Sequence, residues 1–235
     1  MPPGSTSAAG STYYLGTDGQ GRDMLSAIMY GLRVSLYVGV ASGVIALVIG
    51  ALLGVVAAYA GGRFEQFLMR LADIQLGFPA ILVALILLAV LGKGVDKIII
   101  ALVTVQWAYY ARTARSAALV ERNKEYIEAA RGLGLSSARI VFRHLLPNAL
   151  PPLIVVGTVQ IAHAIALEAT LSFLGLGLPT TEPSLGLLIA NGYEFLMSGK
   201  YWISVYPGIA LLVTILSINL VGDQLRDVLN PRLSR

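Results

Sequence analysis

Uncharged runs alternate with short polar connectors along most of the chain. Val34 to Tyr59 holds no charged residue over 26 positions, more than the roughly 20 residues that cross a bilayer core of about 30 Å. The pattern predicts a first spanning helix there. Ile74 to Gly92 is a second uncharged run, of 19 residues, with Pro79 near its start. Proline lacks an amide hydrogen, so it either kinks this helix or marks its true first turn. Ile98 to Ala111 gives only 14 uncharged residues, but Lys97 and Arg112 can snorkel at its ends, and Trp107, Tyr109 and Tyr110 suit an interface. This third helix is expected to continue past the membrane through Arg112 to Val120. A fourth span is expected from about Pro151 to Phe173, and a fifth from Trp202 to Gly222 with Tyr201 and Trp202 as interface anchors. The fold class is all-α: a polytopic helical membrane protein with five spans in this chain.

The remaining segments divide the chain further. Residues 1–14 read as a disordered Pro/Gly/Ser/Ala leader, without the basic region and apolar run of a cleavable signal peptide. Residues 15–33 are placed on the outer membrane surface, where Asp23 can cap a short helix carrying Met24, Ala27, Ile28 and Leu32. The transmembrane domain is 34–222. Its connector at 61–73 is polar, and the loop at 180–200 contains an amphipathic piece, S-L-G-L-L-I-A-N-G-Y-E-F-L, expected to lie flat on the membrane. A tail at 223–235 ends the chain.

Within the first span, Gly39, Gly43, Ala46, Gly50 and Gly54 recur at spacings of four, three, four and four. Small residues on one face let a neighbouring backbone come close, which is how helices associate in lipid. Helix packing is therefore the role expected of Gly39, Gly43, Gly50 and Gly54.

Composition agrees with a membrane protein: 56% of residues are hydrophobic and 13% charged, about half the roughly 25% of a soluble domain. The chain has no cysteine, which excludes disulfides, thiolate metal sites and a cysteine nucleophile. The formal charge of +4 gains meaning from its placement. With five spans, one side carries basic residues at 61–73, 112–147 and the tail, numbering 2, 7 and 3. The other side carries five: Arg22, Arg33, Lys93, Lys97 and Lys200. Twelve against five puts the tail and the polar island around 121–147 in the cytoplasm.

That island, Glu121 to Pro152, is the longest charged segment in the chain. Glu121 to Arg131 consists of good helix formers, with Lys124 and Glu128 placed as an i,i+4 pair. Gly132 and Gly134 break the helix, Ser136 or Ser137 can cap a second, and Pro147 closes it. The result is a helical hairpin projecting from the membrane, expected to have no core of its own and to need a partner surface.

The spacing Glu128-Ala129-Ala130, three residues, Gly134, nine residues, His144, one residue, Leu146-Pro147 resembles the EAA loop of bacterial ABC importer permeases. His144 stands where the general pattern has isoleucine; R-H-L-L-P-N is similar to the peptide and nickel branch. L-G-T-D-G-Q-G-R-D at 15–23, A-Y-A-G-G at 58–62 and E-A-T-L-S-F-L-G-L-G at 168–177 also resemble the second permease subunit of that branch. The resemblance implies six spans, one upstream of this chain. It also implies an ATPase-coupling loop at 121–147 and, as partners, a homologous permease, two cytoplasmic ATPases and an external substrate-binding protein. Di- or oligopeptides are the implied cargo, with nickel or another small solute as the alternative, and the implied location is the bacterial inner membrane. Glu128 would pair with a basic group on the ATPase, Ala129 and Ala130 permit close approach, and Gly134 makes the turn.

No segment matches a P-loop, so ATP and magnesium are expected on the partner subunits and no cofactor on this chain. His144 and His163 lack metal-ligand spacing, and no catalytic set is evident, so the chain is not expected to be an enzyme. No nucleic-acid partner is implied; lipid is the surrounding partner. Glu168 is an intramembrane charge, open to a functional reading or to pairing at a helix end. His163, five residues away, does not share its face well. Gln106, Gln160 and Asn219 are expected to bond neighbouring helices rather than line a pore. An ion-coupled carrier would need internal repeats and paired intramembrane charges, and neither is evident.

Overall fold

The computed structural model describes residues 1–6, 10, 12–179 and 181–229. Asp23 opens the first helix by accepting the Ser26 amide at 2.8 Å and the Ser26 hydroxyl at 2.6 Å, which satisfies a donor that a helix start leaves orphaned. Nothing then stops the helix before Gly61, whose φ of +68° ends it. Helix α1 therefore runs Met24–Ala60 over 37 residues. The surface helix and first span expected as separate pieces are one rod.

Helices α2 (Gly62–Gly77) and α3 (Ala80–Leu91) meet at Phe78–Pro79 with a bend of 92°. Pro79 is the cap of α3, so it marks a first turn rather than kinking a longer helix. The run from Ile74 to Gly92 is thus not one straight span: Ile74–Gly77 belong to α2, and the polar connector is itself helical. At 12 residues, α3 measures about 18 Å. Helix α4, Val95–Arg122, continues beyond the third apolar run as the sequence predicts. Arg115 and Arg112 of α4 pair with Glu65 (2.5 Å) and Asp73 (3.4 Å) of α2, holding α2 against it.

Helix α5 (Glu125–Gly132) and the short α6 (Ser137–Ile140) form the hairpin. A π-helical turn, Val141–Leu145, leads into α7, Leu146–Phe173. Residues from Ser137 to Phe173 form one continuous helical rod, so Pro147 does not close the hairpin. It sits in the first turn of α7, where proline is tolerated. Helices α8 (Leu185–Tyr193) and α9 (Trp202–Leu229) complete the chain.

By length and composition α1, the α6–α7 rod and α9 can each cross a membrane, and the bent α2–α3 pair makes a fourth crossing if it counts as one. Helix α4, at 28 residues and about 42 Å, buries Ile98, Ala101, Leu102, Ala108 and Ala111 in the bundle. Its Tyr110, expected at an interface, is wholly buried beside Gly50.

The glycine face of α1 serves two neighbours. Gly39 and Gly43 abut Ile165 and Ile161 of α7, while Gly50 and Gly54 abut the backbone of α4 at Trp107 and Ala111. These contacts run α1 and α4 in the same direction and α7 against them. The hairpin and α2 lie at one end of the bundle, and α8 with the N-terminal segment at the other.

Three expectations at that second end are corrected. Helix α8 does not lie flat on a surface. Leu185 and Leu188 are buried, and Gly186 and Gly192 let its backbone touch Ala169 of α7 and Ile203–Ser204 of α9. Trp202 is no interface anchor; it is buried, and its Nε1 donates to the Thr17 carbonyl at 3.1 Å. The leader, in its described residues, is a small antiparallel ribbon of β1 (Ser5–Thr6) and β2 (Thr12–Tyr13), and the Met1 amine donates to Thr17 Oγ1 at 2.6 Å.

Candidate coupling site

The hairpin grows from the end of α4. After Arg122 the chain breaks at Asn123, and α5 begins two residues later. Gly134, with φ of +74°, occupies the left-handed region that side chains disfavour, and this reverses the chain toward α6. The Ser136 side chain caps α6 by accepting the Arg139 amide at 3.4 Å. Arg122 reaches back to the end of α1 and donates to the Ala58 carbonyl at 2.6 Å, satisfying one of the acceptors a helix C-terminus leaves open.

The hairpin was expected to lack a core, and the structure corrects this. Ile127, Ala130, Ile140 and Leu145 are buried and pack with Ala58, Ala114 and Ala118 of α1 and α4. Ile127 and Ala130 are three apart, as are members of one helix face, and that face is turned inward. The hairpin is thus seated on the ends of two long helices. Tyr59 reinforces the seat: its hydroxyl donates to Ser137 Oγ at 3.1 Å, and the Arg131 guanidinium lies 5.3 Å from its ring centre.

The EAA residues divide between the two faces. Glu128 and Ala129 are exposed, Ala130 is buried, Leu146 is half-buried and Pro147 exposed. Lys124 does not pair with Glu128; its ammonium is 2.6 Å from Glu121, which leaves the Glu128 carboxylate at the surface. Leu133, 82% exposed, and Phe142, 54% exposed, flank the outward face. Sequence reasoning passed over these two, although large apolar side chains in a polar island were the available signal.

At the base of the hairpin a polar cluster joins three helices. The Tyr126 hydroxyl donates to Glu121 at 2.7 Å, and Asn148 Nδ2 donates to the Tyr126 hydroxyl at 3.3 Å and to the His144 carbonyl at 2.6 Å. Burial alone would raise the Glu121 carboxyl, but hydrogen bonds from Lys124 and Tyr126 outweigh it and hold the group below the usual carboxylate range. Burial, then the bond to Glu121 and its charge, pushes the Tyr126 phenol up to about 12.

Of the other singled-out polar residues, Glu168, His163 and Gln160 lie on α7, Gln106 on α4 and Asn219 on α9. Glu168 is wholly buried, and accepts Ser35 Oγ of α1 at 2.9 Å and Ser172 Oγ at 2.7 Å. His163 is on an exposed side of the helix, with Nδ1 3.2 Å from Gln160 Oε1. Gln106 of α4 donates to the Gln160 carbonyl at 3.4 Å, a bond between helices as expected. Near Glu168, at the α8 end, a cleft of about 490 Å³ is lined by Asp18, Arg22, Lys93, Asn191 and Glu194, among others, so it presents both signs of charge.

Comparison with known proteins agrees with this architecture. Residues 46–235 match the family described as the binding-protein-dependent transport system inner membrane component. A putative peptide transport system permease protein of Brucella suis is 45% identical over 224 residues, covering 95% of this chain and 75% of the relative. The di/tripeptide transport system permease protein DppC of Pseudomonas aeruginosa is 39% identical over 232 residues, covering 99% and 76%. The oligopeptide transport system permease protein OppC of Bacillus subtilis is 37% identical, covering 95% and 73%. Among solved structures, an inward-facing form of the MetNI methionine ABC transporter aligns with a TM-score of 0.72 over 88% of this chain and 98% of that one, at 22% identity; at that identity the likeness concerns the fold.

Proposed function

The chain belongs to the family of binding-protein-dependent transport system inner membrane components, and from that membership we propose that it forms half of the pathway of an ATP-driven peptide importer. It pairs with a homologous permease, takes di- or oligopeptides from an external binding protein, and couples to a cytoplasmic ATPase through residues 121–147. The chain itself catalyses nothing; ATP and magnesium belong to the ATPase subunits. The tail and the hairpin face the cytoplasm, in keeping with the excess of Lys and Arg on their side.

The observation that carries the coupling reading is the two-faced hairpin. Its inner face is packed on α1 and α4, while Glu128, Ala129, Leu133 and Phe142 stand outward, and among the described residues nothing covers the two large apolar side chains. Two large exposed apolar side chains and a surface carboxylate on one short hairpin fit the cleft of a second protein. The substrate reading draws on the relatives, three of which carry peptide, di/tripeptide or oligopeptide in their names.

The test is reconstitution in proteoliposomes with the cognate permease, ATPases and binding protein. Labelled dipeptide should accumulate only when ATP and the binding protein are both supplied. Substitution of Leu133 and Phe142 by alanine should release the ATPase subunits from the purified complex. Uptake without ATP would overturn the mechanism, and uptake of nickel in place of peptides would overturn the cargo.

A further inference from the structure

The backbone that connects the hairpin to α7 is poorly braced. Val141–Leu145 form a π turn, and Pro147, Pro151 and Pro152 follow within α7. A π turn replaces the regular ladder with longer-range bonds, and each proline removes an amide donor. Pro151 cannot donate to the carbonyl of Pro147, nor Pro152 to that of Asn148, since helical bonds run from residue i to i−4. A displacement of the hairpin carried by backbone alone would be absorbed in this stretch before reaching the membrane part of α7.

Side chains bridge the first part of it. Tyr126 of α5 donates to Glu121 of α4 and accepts from Asn148 of α7, which also holds the π-turn carbonyl of His144. The Tyr126 and His144 rings lie 6.2 Å apart at 54°, and Lys124 closes the cluster on the second oxygen of Glu121. One phenol hydroxyl therefore touches elements on both sides of the π turn, α4 before it and the first turn of α7 after it. Glu121 is only 9% exposed, and bonds to a charged, nearly buried acceptor are among the stronger ones.

We propose that Tyr126 is a positioning residue for energy coupling: its hydroxyl binds the end of α4, the hairpin and the foot of α7 into one moving body and leaves the bend to Pro151–Pro152. This rests on the hairpin being the ATPase contact. Its hydroxyl is engaged within the chain by Glu121 and Asn148, and through those bonds it decides how far motion at the contact reaches into the bundle. Without the clasp, ATP-driven closure would move the hairpin while α7 followed only in part.

The experiment is the ratio of peptide transported to ATP hydrolysed by the complete importer in proteoliposomes. Tyr126→Phe keeps the ring and removes the hydroxyl. The complex should still assemble and hydrolyse ATP at near the unmodified rate, while peptide moved per ATP falls about five-fold. Glu121→Gln, which retains an acceptor for the phenol, should couple better than Glu121→Ala. Tyr126→Phe combined with Glu121→Ala should be no worse than the poorer single variant, because both remove the same bond. Asn148→Ala, at an exposed side chain, carries the same expectation should Tyr126→Phe fail to assemble. An unchanged ratio in the assembled Tyr126→Phe and Asn148→Ala complexes would overturn the clasp while leaving the hairpin as the ATPase contact. If Leu133→Ala/Phe142→Ala retained its ATPase subunits and full uptake, the contact reading itself would fall, and the clasp with it.

Discussion

Ser35 and Glu168 are 133 residues apart, and the Ser35 hydroxyl donates to the Glu168 carboxylate at 2.9 Å with neither residue exposed. The same serine oxygen accepts the Leu185 amide at 3.4 Å, so one carboxylate on α7 organises the meeting of α1, α7 and the start of α8. Replacing Glu168 by alanine leaves the Ser35 and Ser172 hydroxyls without their acceptor. It should cost about 1–3 kcal/mol, the range for leaving a buried polar group unsatisfied. Glu168→Gln keeps an acceptor and should lose less. Unfolding temperatures of the detergent-purified variants check the order; equal losses would show that the acceptor is not what matters.

Two glycine-to-alanine changes should have opposite signs. A Cβ at Gly54 would collide with the Ala111 carbonyl of α4, whereas one at Gly208 of α9 would meet nothing within 4 Å. Alanine gains about 1 kcal/mol over glycine in a helix interior, and at Gly208 that gain stands alone. At Gly54 the collision is with backbone, which cannot rotate away, and overpacking of about 1–3 kcal/mol outweighs it. Thermal unfolding should show Gly208→Ala at or above the unmodified protein and Gly54→Ala below it.

Glu128→Lys should separate folding from coupling. The side chain is exposed, and the Lys124 that might have held it is engaged by Glu121, so the change should alter stability by no more than about 0.5 kcal/mol. ATP-driven uptake by the reconstituted importer should nevertheless be lost. Normal uptake with a normal unfolding temperature would remove Glu128 from the contact.

The base of the hairpin should loosen at both ends of the pH scale. Glu121 is held below the usual carboxylate range, so its contribution is complete above the ordinary carboxylate pKa and is lost as pH falls through the depressed value. Tyr126 is raised to about 12, so its contribution is complete below the ordinary phenol pKa of about 10. It is lost as pH rises toward 12, when a phenolate would face the Glu121 carboxylate. Amide hydrogen exchange in α5, corrected for intrinsic rates, should be slowest between these limits, and Glu121→Gln should remove the acid limb.

Much of the helical layout was legible because its signals are local. Uncharged runs marked the long helices, Asp23 announced the cap of α1 and Ser136 or Ser137 that of the short α6, and Gly134 announced the turn, each through chemistry within a few residues. The glycine spacing on α1 identified a packing face but not its partners, since Gly39 and Gly43 meet α7 while Gly50 and Gly54 meet α4. For Pro79 the sequence left a kink and a first turn equally open; the bend of 92° between α2 and α3 settled it. Trp202, read as an interface anchor, is buried because Thr17, far away in the chain, supplies the acceptor its indole needs.

The sequence by itself determined an all-helical membrane chain, the place of the EAA hairpin within it, and the residues able to make close helix contacts. Those properties depend on hydrophobic runs, caps, turns and spacing, all read within a few turns of helix. Only the tertiary structure decided that Lys124 turns to Glu121 rather than Glu128, that α8 lies inside the bundle, and that Tyr126 faces both α4 and α7. The physical reason is that a buried polar group or a bare glycine backbone states only that it needs a partner. Which partner it gets is fixed when distant helices pack and bring one complementary group within reach.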